Sequence, residues 1–237
     1  MPTVSEILKE KAAPLGVVLT ASQLVCFERY AELLLEWSTR MNLTAIKDAE
    51  GIAVKHFLDS IMLTHTVDIS KGARLIDVGS GAGFPGVPVK IMREDISLTL
   101  ADSTNKRVTF LTALLKELSL NGETVHARAE ELGNNKLYRE QYDVATARAV
   151  AHLRELAEYC LPFVKAGGVF AALKSGQIQT ELDEAKRAIT LLGGRLEEIK
   201  QFPLCDAGER SIIIIKKISQ TPTGYPRAGA KMAKKPL

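Results

Sequence analysis

The chain has 237 residues, 46% apolar, 25% charged and 5% aromatic, with a formal net charge of +3; this suits one globular domain with a modest extension and excludes collagen, coiled coil and wholesale disorder. Its three cysteines, Cys26, Cys160 and Cys205, are odd in number, far apart and not spaced with histidine as zinc ligands, so they read as small buried hydrophobes in a reducing cytoplasm, with no disulfide framework and no metal site. No apolar run approaches the ~20 residues that span a bilayer, and Glu6 and Glu10 stand where a signal peptide would be basic, so a soluble protein with no membrane partner is expected.

Two helices open the chain. Thr3 with Glu6, and Thr20 with Gln23, place a hydroxyl three residues before an acid or amide, the spacing of a capping box. In the second, Leu24, Phe27, Ala31, Leu34 and Trp37 recur at helical spacing and form a buried stripe. Met41 to Asp68 reads as loop, short helix and loop, so residues 1–70 form a small N-terminal helical subdomain. From Ala73 short apolar runs alternate with helical patterns, as in a parallel sheet with crossover helices. Strands are predicted at 74–78, 98–101, 124–126, 143–147, 169–173, 196–202 and 211–217. Helices are marked by Val108, Leu111, Leu115 and Leu118 and by Leu182, Ala185, Ile189 and Leu192. Turns fall at Lys165-Ala-Gly-Gly168 and Gly193-Gly194. An α/β domain therefore spans 71–219.

Residues 220–237 contain Pro222, Pro226 and Pro236 and read as an extended or mobile basic arm. Residues 1–70 hold 6 basic and 9 acidic side chains, residues 71–215 hold 19 of each, and residues 216–237 hold 6 basic and none acidic. The positive excess sits wholly at the C-terminus, which favours a polyanionic partner but also suits a solubilising end.

The strongest local signal is Leu75-Ile-Asp-Val-Gly-Ser-Gly-Ala-Gly-Phe-Pro-Gly86. A strand runs into Gly79, Gly81, Gly83 and Gly86 and then into a helix, so the backbone can approach a nucleotide-type ligand closely. Gly81, Gly83 and Gly86 also spell GxGxxG, with Asp102 21 residues after Gly81, so a dinucleotide site stays open on the pattern alone. Asp77, two residues before Gly79, is expected at the mouth of this loop, where it would repel a pyrophosphate and attract a cation. S-adenosylmethionine has no phosphate, an adenosine whose ribose suits Asp102, and a positive ammonium and sulfonium.

From Met41 to Arg227 the chain resembles the RsmG (GidB) family of methyltransferases, which modify guanine N7 in 16S ribosomal RNA. The likeness rests on Asn42-Leu-Thr44, His56-Phe-Leu-Asp-Ser60, the glycine loop, Asp102-Ser-Thr-Asn-Lys-Arg107, Arg128-Ala-Glu130, Thr146-Ala-Arg-Ala149, Ala172-Leu-Lys174 and Tyr225-Pro-Arg227. The resemblance implies a Rossmann-like class I S-adenosylmethionine-dependent methyltransferase: a seven-stranded, mostly parallel sheet with the last strand antiparallel, helices on both faces and a small N-terminal helical extension. It implies that Gly79 and Phe84 line the methionine side of the donor. By the same likeness Asp102, Ser103 and Thr104 hold the ribose, Ala129 and Glu130 flank the adenine, and Arg148 sits near the reacting end. Thr104 stands where the family often has Leu, which is tolerated if contact there is through the backbone.

An in-plane lone pair on N7 needs no general base. The chain accordingly has no Asn-Pro-Pro-aromatic segment and no proline immediately before a cysteine, the motifs of amine and pyrimidine C5 methylation. Because N7 faces a groove that is too narrow in A-form RNA, the target must be splayed out. Arg107, Arg128, Arg148, Lys174 and Arg210 are predicted at strand ends or in adjoining loops, several of them forming a phosphate-gripping rim, with Arg227, Lys231, Lys234 and Lys235 as a non-specific arm. Replacing Arg148 with Ala is expected to reduce methylation far more than folding. His56 and Asp59 are expected to bond to each other and pack the helical subdomain on the sheet. The readings that compete are an NAD-dependent oxidoreductase and a non-catalytic RNA-binding or ribosome-assembly protein. Nothing in the pattern demands a dimer, and a monomer is expected.

Overall fold

The computed structural model of the chain describes residues 1–176 and 178–237, with the side chain of Asp206 outside the description. Both predicted capping boxes close: Thr3 opens α1 (Val4–Ala12) and Thr20 opens α2 (Ala21–Ser38), each accepting from the third helical amide while Glu6 or Gln23 reaches back. The next segment is more helical than expected. Asp48 caps α3 (Ala49–Gly51), which continues as a π-helix over Ile52–Leu58 and then as α4 (Asp59–Ile61), followed by α5 (Leu63–Thr66).

Seven strands follow: β1 (Arg74–Val78), β2 (Ser97–Asp102), β3 (Glu123–His126), β4 (Tyr142–Arg148), β5 (Val164–Ser175), β6 (Gly194–Pro203) and β7 (Glu209–Lys217). The crossover helices are α6 (Gly86–Met92), α7 (Asn105–Glu117), α8 (Ala129–Leu132), α9 (Leu153–Cys160) and α10 (Gln179–Leu191). The sheet order is β3-β2-β1-β4-β5-β7-β6, parallel except for β7, which is antiparallel to both of its neighbours. The chain reverses its winding between β1 and β4, and open α/β sheets bind ligands at that crevice.

Alternate residues of each central strand enter different cores, as a period of two requires. Leu75, Val144, Ala171, Ile212 and Ile214 join the core that contains the N-terminal helices, α6 and α7; Ile76, Ala145, Phe170, Ala172, Ile213 and Ile215 join the core under α8, α9 and α10. Residues 1–70 thus share one core with α6 and α7 on one side of the sheet. Tyr30 of α2 is fully buried and its hydroxyl donates to the Ala82 carbonyl at 2.6 Å, which ties that layer to the glycine loop.

The C-terminal segment departs from the expected mobile arm. It folds back on the second core, forms α11 (Gly229–Lys234) and buries Met232 to 1% exposure. Its prolines break strand and helix early, but Tyr225 and Leu237 still pack against the second core. The cysteines also divide. Cys160 is buried, with its thiol pushed well up by burial, whereas Cys205 is exposed.

Candidate active site

Two clefts open at the carboxyl ends of the strands. The first, a cavity of about 350 Å³, is lined by Val78 and Gly79 after β1, Ala101, Asp102 and Ser103 after β2, Ala127–Glu130 after β3, Val150 and Ala151 after β4, Glu155 and Tyr159 on α9, and Gly229. Gly79 has φ +73°, and a Cβ there would lie 2.7 Å from Val150 Cγ2, so only glycine leaves this floor open. Asp102, 3% exposed, accepts from the Gly81 amide at 2.9 Å and the Thr104 amide at 2.8 Å. Both of its oxygens keep lone pairs for a further donor such as a ribose hydroxyl. Asp102, Glu130 and Glu155 face the cavity with Arg128, and Arg107 lies outside the lining with its Nη1 3.6 Å from Asp102 Oδ2, so the acids outnumber the cations by one. That balance suits a cationic ligand and opposes a pyrophosphate.

Asp77 does not supply that field. It is fully buried beneath the loop, its Oδ2 accepting from the Gly86 amide at 2.9 Å, and Leu100 Cδ2 and Asp77 would both crowd a Cβ at position 86. Its Oδ1 is buried without a hydrogen-bond partner, and burial pushes the carboxyl up to about 7. A loop that turns back on its own strand encloses the residue it turns over, so Asp77 staples the loop instead of standing at its mouth.

The second cleft, about 470 Å³, is lined by Lys55, His56, Asp59, Arg148, Lys174 and Arg210 together with Ile46, Ala149, Leu173, Ser175 and Glu181. At its base Arg148 donates to Asp59 Oδ2 at 2.8 Å and to the Lys55 carbonyl at 3.1 Å, while Arg210 Nε lies 3.4 Å from Asp59 Oδ1. The expected His56–Asp59 bond is replaced by this arrangement, in which both residues hold Arg148. His56 Nδ1 lies 3.3 Å from Arg148 Nη2 and its Nε2 lies 2.7 Å from Thr44 Oγ1. A guanidinium only donates, so Nδ1 accepts, Nε2 carries the proton and the ring is neutral. Burial first and Arg148 second hold this imidazole down to about 4. Phe84 stacks on His56 at 4.6 Å between centroids, and Arg148 lies 4.7 Å over its face.

Gly79, Asp102, Ser103, Ala129, Glu130 and Arg128 therefore meet in the first cavity, and Arg148, Lys174 and Arg210 in the second. Gly81 and Thr104 touch the first only through their amides on Asp102, and Phe84 packs behind the second. The expected cationic rim is only partly open. Arg128 is exposed, as is Arg107, whose Nη1 lies 3.6 Å from Asp102 Oδ2, but Lys174 is engaged by Glu181 Oε2 at 2.7 Å and the Ala151 carbonyl at 2.8 Å. Arg227 is sequestered on Glu158. Val150, Ala151, Glu155, Tyr159 and Gly229 were not foreseen in the cavity wall; Val150 and Ala151, at least, follow directly on the Thr146-Ala-Arg-Ala149 motif.

The turn after β4 separates the two clefts. Ala149, at φ +55°, faces the second, and Val150 and Ala151 face the first. Lys174 pins this partition through its bond to Ala151.

A profile of the GidB family, described as rRNA small subunit methyltransferase G, matches residues 23–213. Ribosomal RNA small subunit methyltransferase G of Lachnoclostridium phytofermentans is 48% identical over 94% of this chain and 93% of its own length. That of Lysinibacillus sphaericus is 49% identical over 98% of this chain and 97% of its own. The fold is shared with geranyl diphosphate C-methyltransferase of Streptomyces coelicolor, solved with S-adenosyl-L-homocysteine, at TM-score 0.52 and 10% identity over 68% of this chain and 79% of that one. On these grounds the chain belongs to the GidB family of rRNA small subunit methyltransferases G and is an S-adenosylmethionine-dependent methyltransferase.

Proposed function

We propose that the first cavity holds S-adenosylmethionine, that the second receives a splayed-out guanosine of 16S ribosomal RNA, and that N7 of that base is methylated across the turn between them. The observation that carries this reading is the juxtaposition of an acid-lined cavity and a cation-lined cleft that share one partition, Arg148–Ala151. Bound in the first cavity, the donor supplies an electrophilic methyl group on a positively charged sulfur. Gly79 leaves room for it, Asp102 offers carboxylate lone pairs to the ribose, and Ala129 and Glu130 border the adenine end.

N7 would attack the donor's methyl carbon with its own lone pair as the carbon–sulfur bond breaks and its pair goes to sulfur, leaving a neutral thioether and a positively charged guanine, so no side chain has to remove a proton. The residues act by orientation, an effect that can lower a barrier by roughly 7–11 kcal/mol. Lys174 fixes the height of the partition, and Asp59 fixes Arg148 against the π-helix. The exposed Arg107 and Arg128 border the donor side and are placed to grip phosphates, the contacts that position RNA. The enzyme is read as a cytoplasmic monomer, with residues 1–70 as the helical layer, 71–219 as the methyltransferase domain and 220–237 as the basic end.

The test is incubation with unmodified small-subunit RNA and labelled S-adenosylmethionine, followed by mapping of the label. Label on one guanine N7 is the expected result; label on another atom, on a small molecule or nowhere would sink the reading.

A further inference from the structure

Arg227, expected on sequence in an RNA-binding arm, instead has surroundings that are built, not incidental. Its Nε donates to Glu158 Oε1 at 2.8 Å, its Nη2 to Glu158 Oε2 at 2.6 Å, and its own amide to Oε1 at 2.9 Å. The two side chains are 13% and 2% exposed, so this is a buried, two-pronged pair and not a surface contact. Hydrogen bonding to Glu158 raises the guanidinium's hold on its proton further. Glu158 stands on α9 beside Tyr159, and Tyr159 and Glu155 line the donor cavity.

The same segment is fastened to the opposite wall. Asn134 donates to the Pro226 carbonyl at 3.1 Å and to the Glu130 carbonyl at 2.9 Å. Arg139 donates to the Tyr225 and Thr221 carbonyls, each at 2.7 Å. Upstream, Lys217 is buried with its ammonium on Thr221 Oγ1 at 2.7 Å and on the Leu161 carbonyl at 2.7 Å. Two residues beyond Arg227, Gly229 completes the cavity, where a Cβ would lie 2.5 Å from Glu130 Oε1. The Nη1 of Arg227 donates to the Lys235 carbonyl at 3.0 Å and so holds the far end of α11 as well.

We propose that residues 221–237 form a strap that is one wall of the donor cavity, and that Arg227 is a positioning residue for the donor instead of an RNA contact. This rests on the assignment of that cavity to S-adenosylmethionine. Arg227 bridges the strap to α9, Asn134 and Arg139 bridge it to the turn after α8, and the two helices that face the adenine end are thereby held at a fixed spacing. Without the bridge, the binding energy of the donor must also order that wall.

The test is calorimetric titration of the full chain with S-adenosylhomocysteine, with KM for donor and for RNA measured alongside. Arg227→Gln should raise the Kd for S-adenosylhomocysteine and the donor KM by about tenfold, with the RNA KM at saturating donor within about twofold. Because Arg227→Gln leaves Glu158 buried and unpaired, E158Q/R227Q serves as the variant that keeps the fold, and the same rise is expected in it. Gly229→Ala, which displaces only the Glu130 carboxylate, should weaken the donor in the same direction. An RNA KM that rises while the donor Kd stays at the parent value would overturn the strap and return Arg227 to the RNA surface. Unchanged donor affinity in both E158Q/R227Q and Gly229→Ala would also overturn it. Failure of the parent chain itself to bind S-adenosylhomocysteine would remove the donor-cavity assignment and the strap with it.

Discussion

Asp77 keeps its Oδ2 on the Gly86 amide and leaves Oδ1 buried without a partner, which a protonated carboxyl tolerates better than a carboxylate. Burial raises this carboxyl to about 7, so the folded chain retains a proton that the unfolded chain releases near pH 4. Stability from this group is full at low pH and is lost as pH rises towards 7, because the folded state binds more protons across that window. Asp77→Asn removes the titration. Relative to the parent it should gain on the order of 1 kcal/mol per pH unit between about pH 4 and 7, read from urea unfolding at three pH values; a constant difference would refute the buried proton. His56 carries the opposite sign: its imidazole is held down to about 4, so its contribution is present above pH 6.5 and is lost as pH falls towards 4. Arg148 is the other residue whose surroundings change the expectation. With its guanidinium on Asp59 and the Lys55 carbonyl, Arg148→Ala should lower stability by about 3 kcal/mol as well as turnover. Arg148→Lys keeps the charge but not the fork and should recover only part of the thermal midpoint.

At the scale of elements, the glycine loop is supported from a helix that lies more than fifty residues away in sequence. Tyr30 of α2 reaches the Ala82 carbonyl, and Tyr30→Phe leaves that carbonyl buried and unpaired at a cost of about 1–2 kcal/mol. Urea unfolding should show the loss, and donor affinity should fall with it as the loop loosens. The helices and strands themselves were legible. Thr3-Glu6 and Thr20-Gln23 fix helix starts by local hydrogen bonds, and all seven strands appear within a few residues of their apolar runs. The largest extension is β5, which runs over Val164–Ser175 against a predicted 169–173, because antiparallel pairing with β7 from Val169 to Ser175 and a bridge from Val164 to Tyr142 lengthen it. The π-helix over Ile52–Leu58 and the short α11 were not legible. Neither has a capping signal of its own, and both are set by what they pack against.

Over the whole molecule the net charge is small, and the basic C-terminal excess is partly consumed internally by Arg227 on Glu158 and by buried Lys217. RNA affinity should then depend on the exposed Arg107 and Arg128. Replacing either with Ala should make the slope of log K against log salt shallower by about 0.7 for a single-stranded target, and should shift stability by no more than about 0.5 kcal/mol. Filter binding at several salt concentrations measures the first and thermal unfolding the second; an unchanged slope in both variants would place the phosphates elsewhere.

Sequence alone determined the alternation of strand and helix, the glycine loop at Gly79–Gly86 and the place of Asp102 at the end of β2, because each depends on residues close together in the chain. Tertiary structure decided which charges remain free. The partners Asp59 and Arg148 are 89 residues apart and Glu158 and Arg227 are 69 apart, so no local pattern records them. A side chain's role as ligand contact or internal strut depends on what the fold brings within about 3 Å of it, since an ionic hydrogen bond forms only at that range.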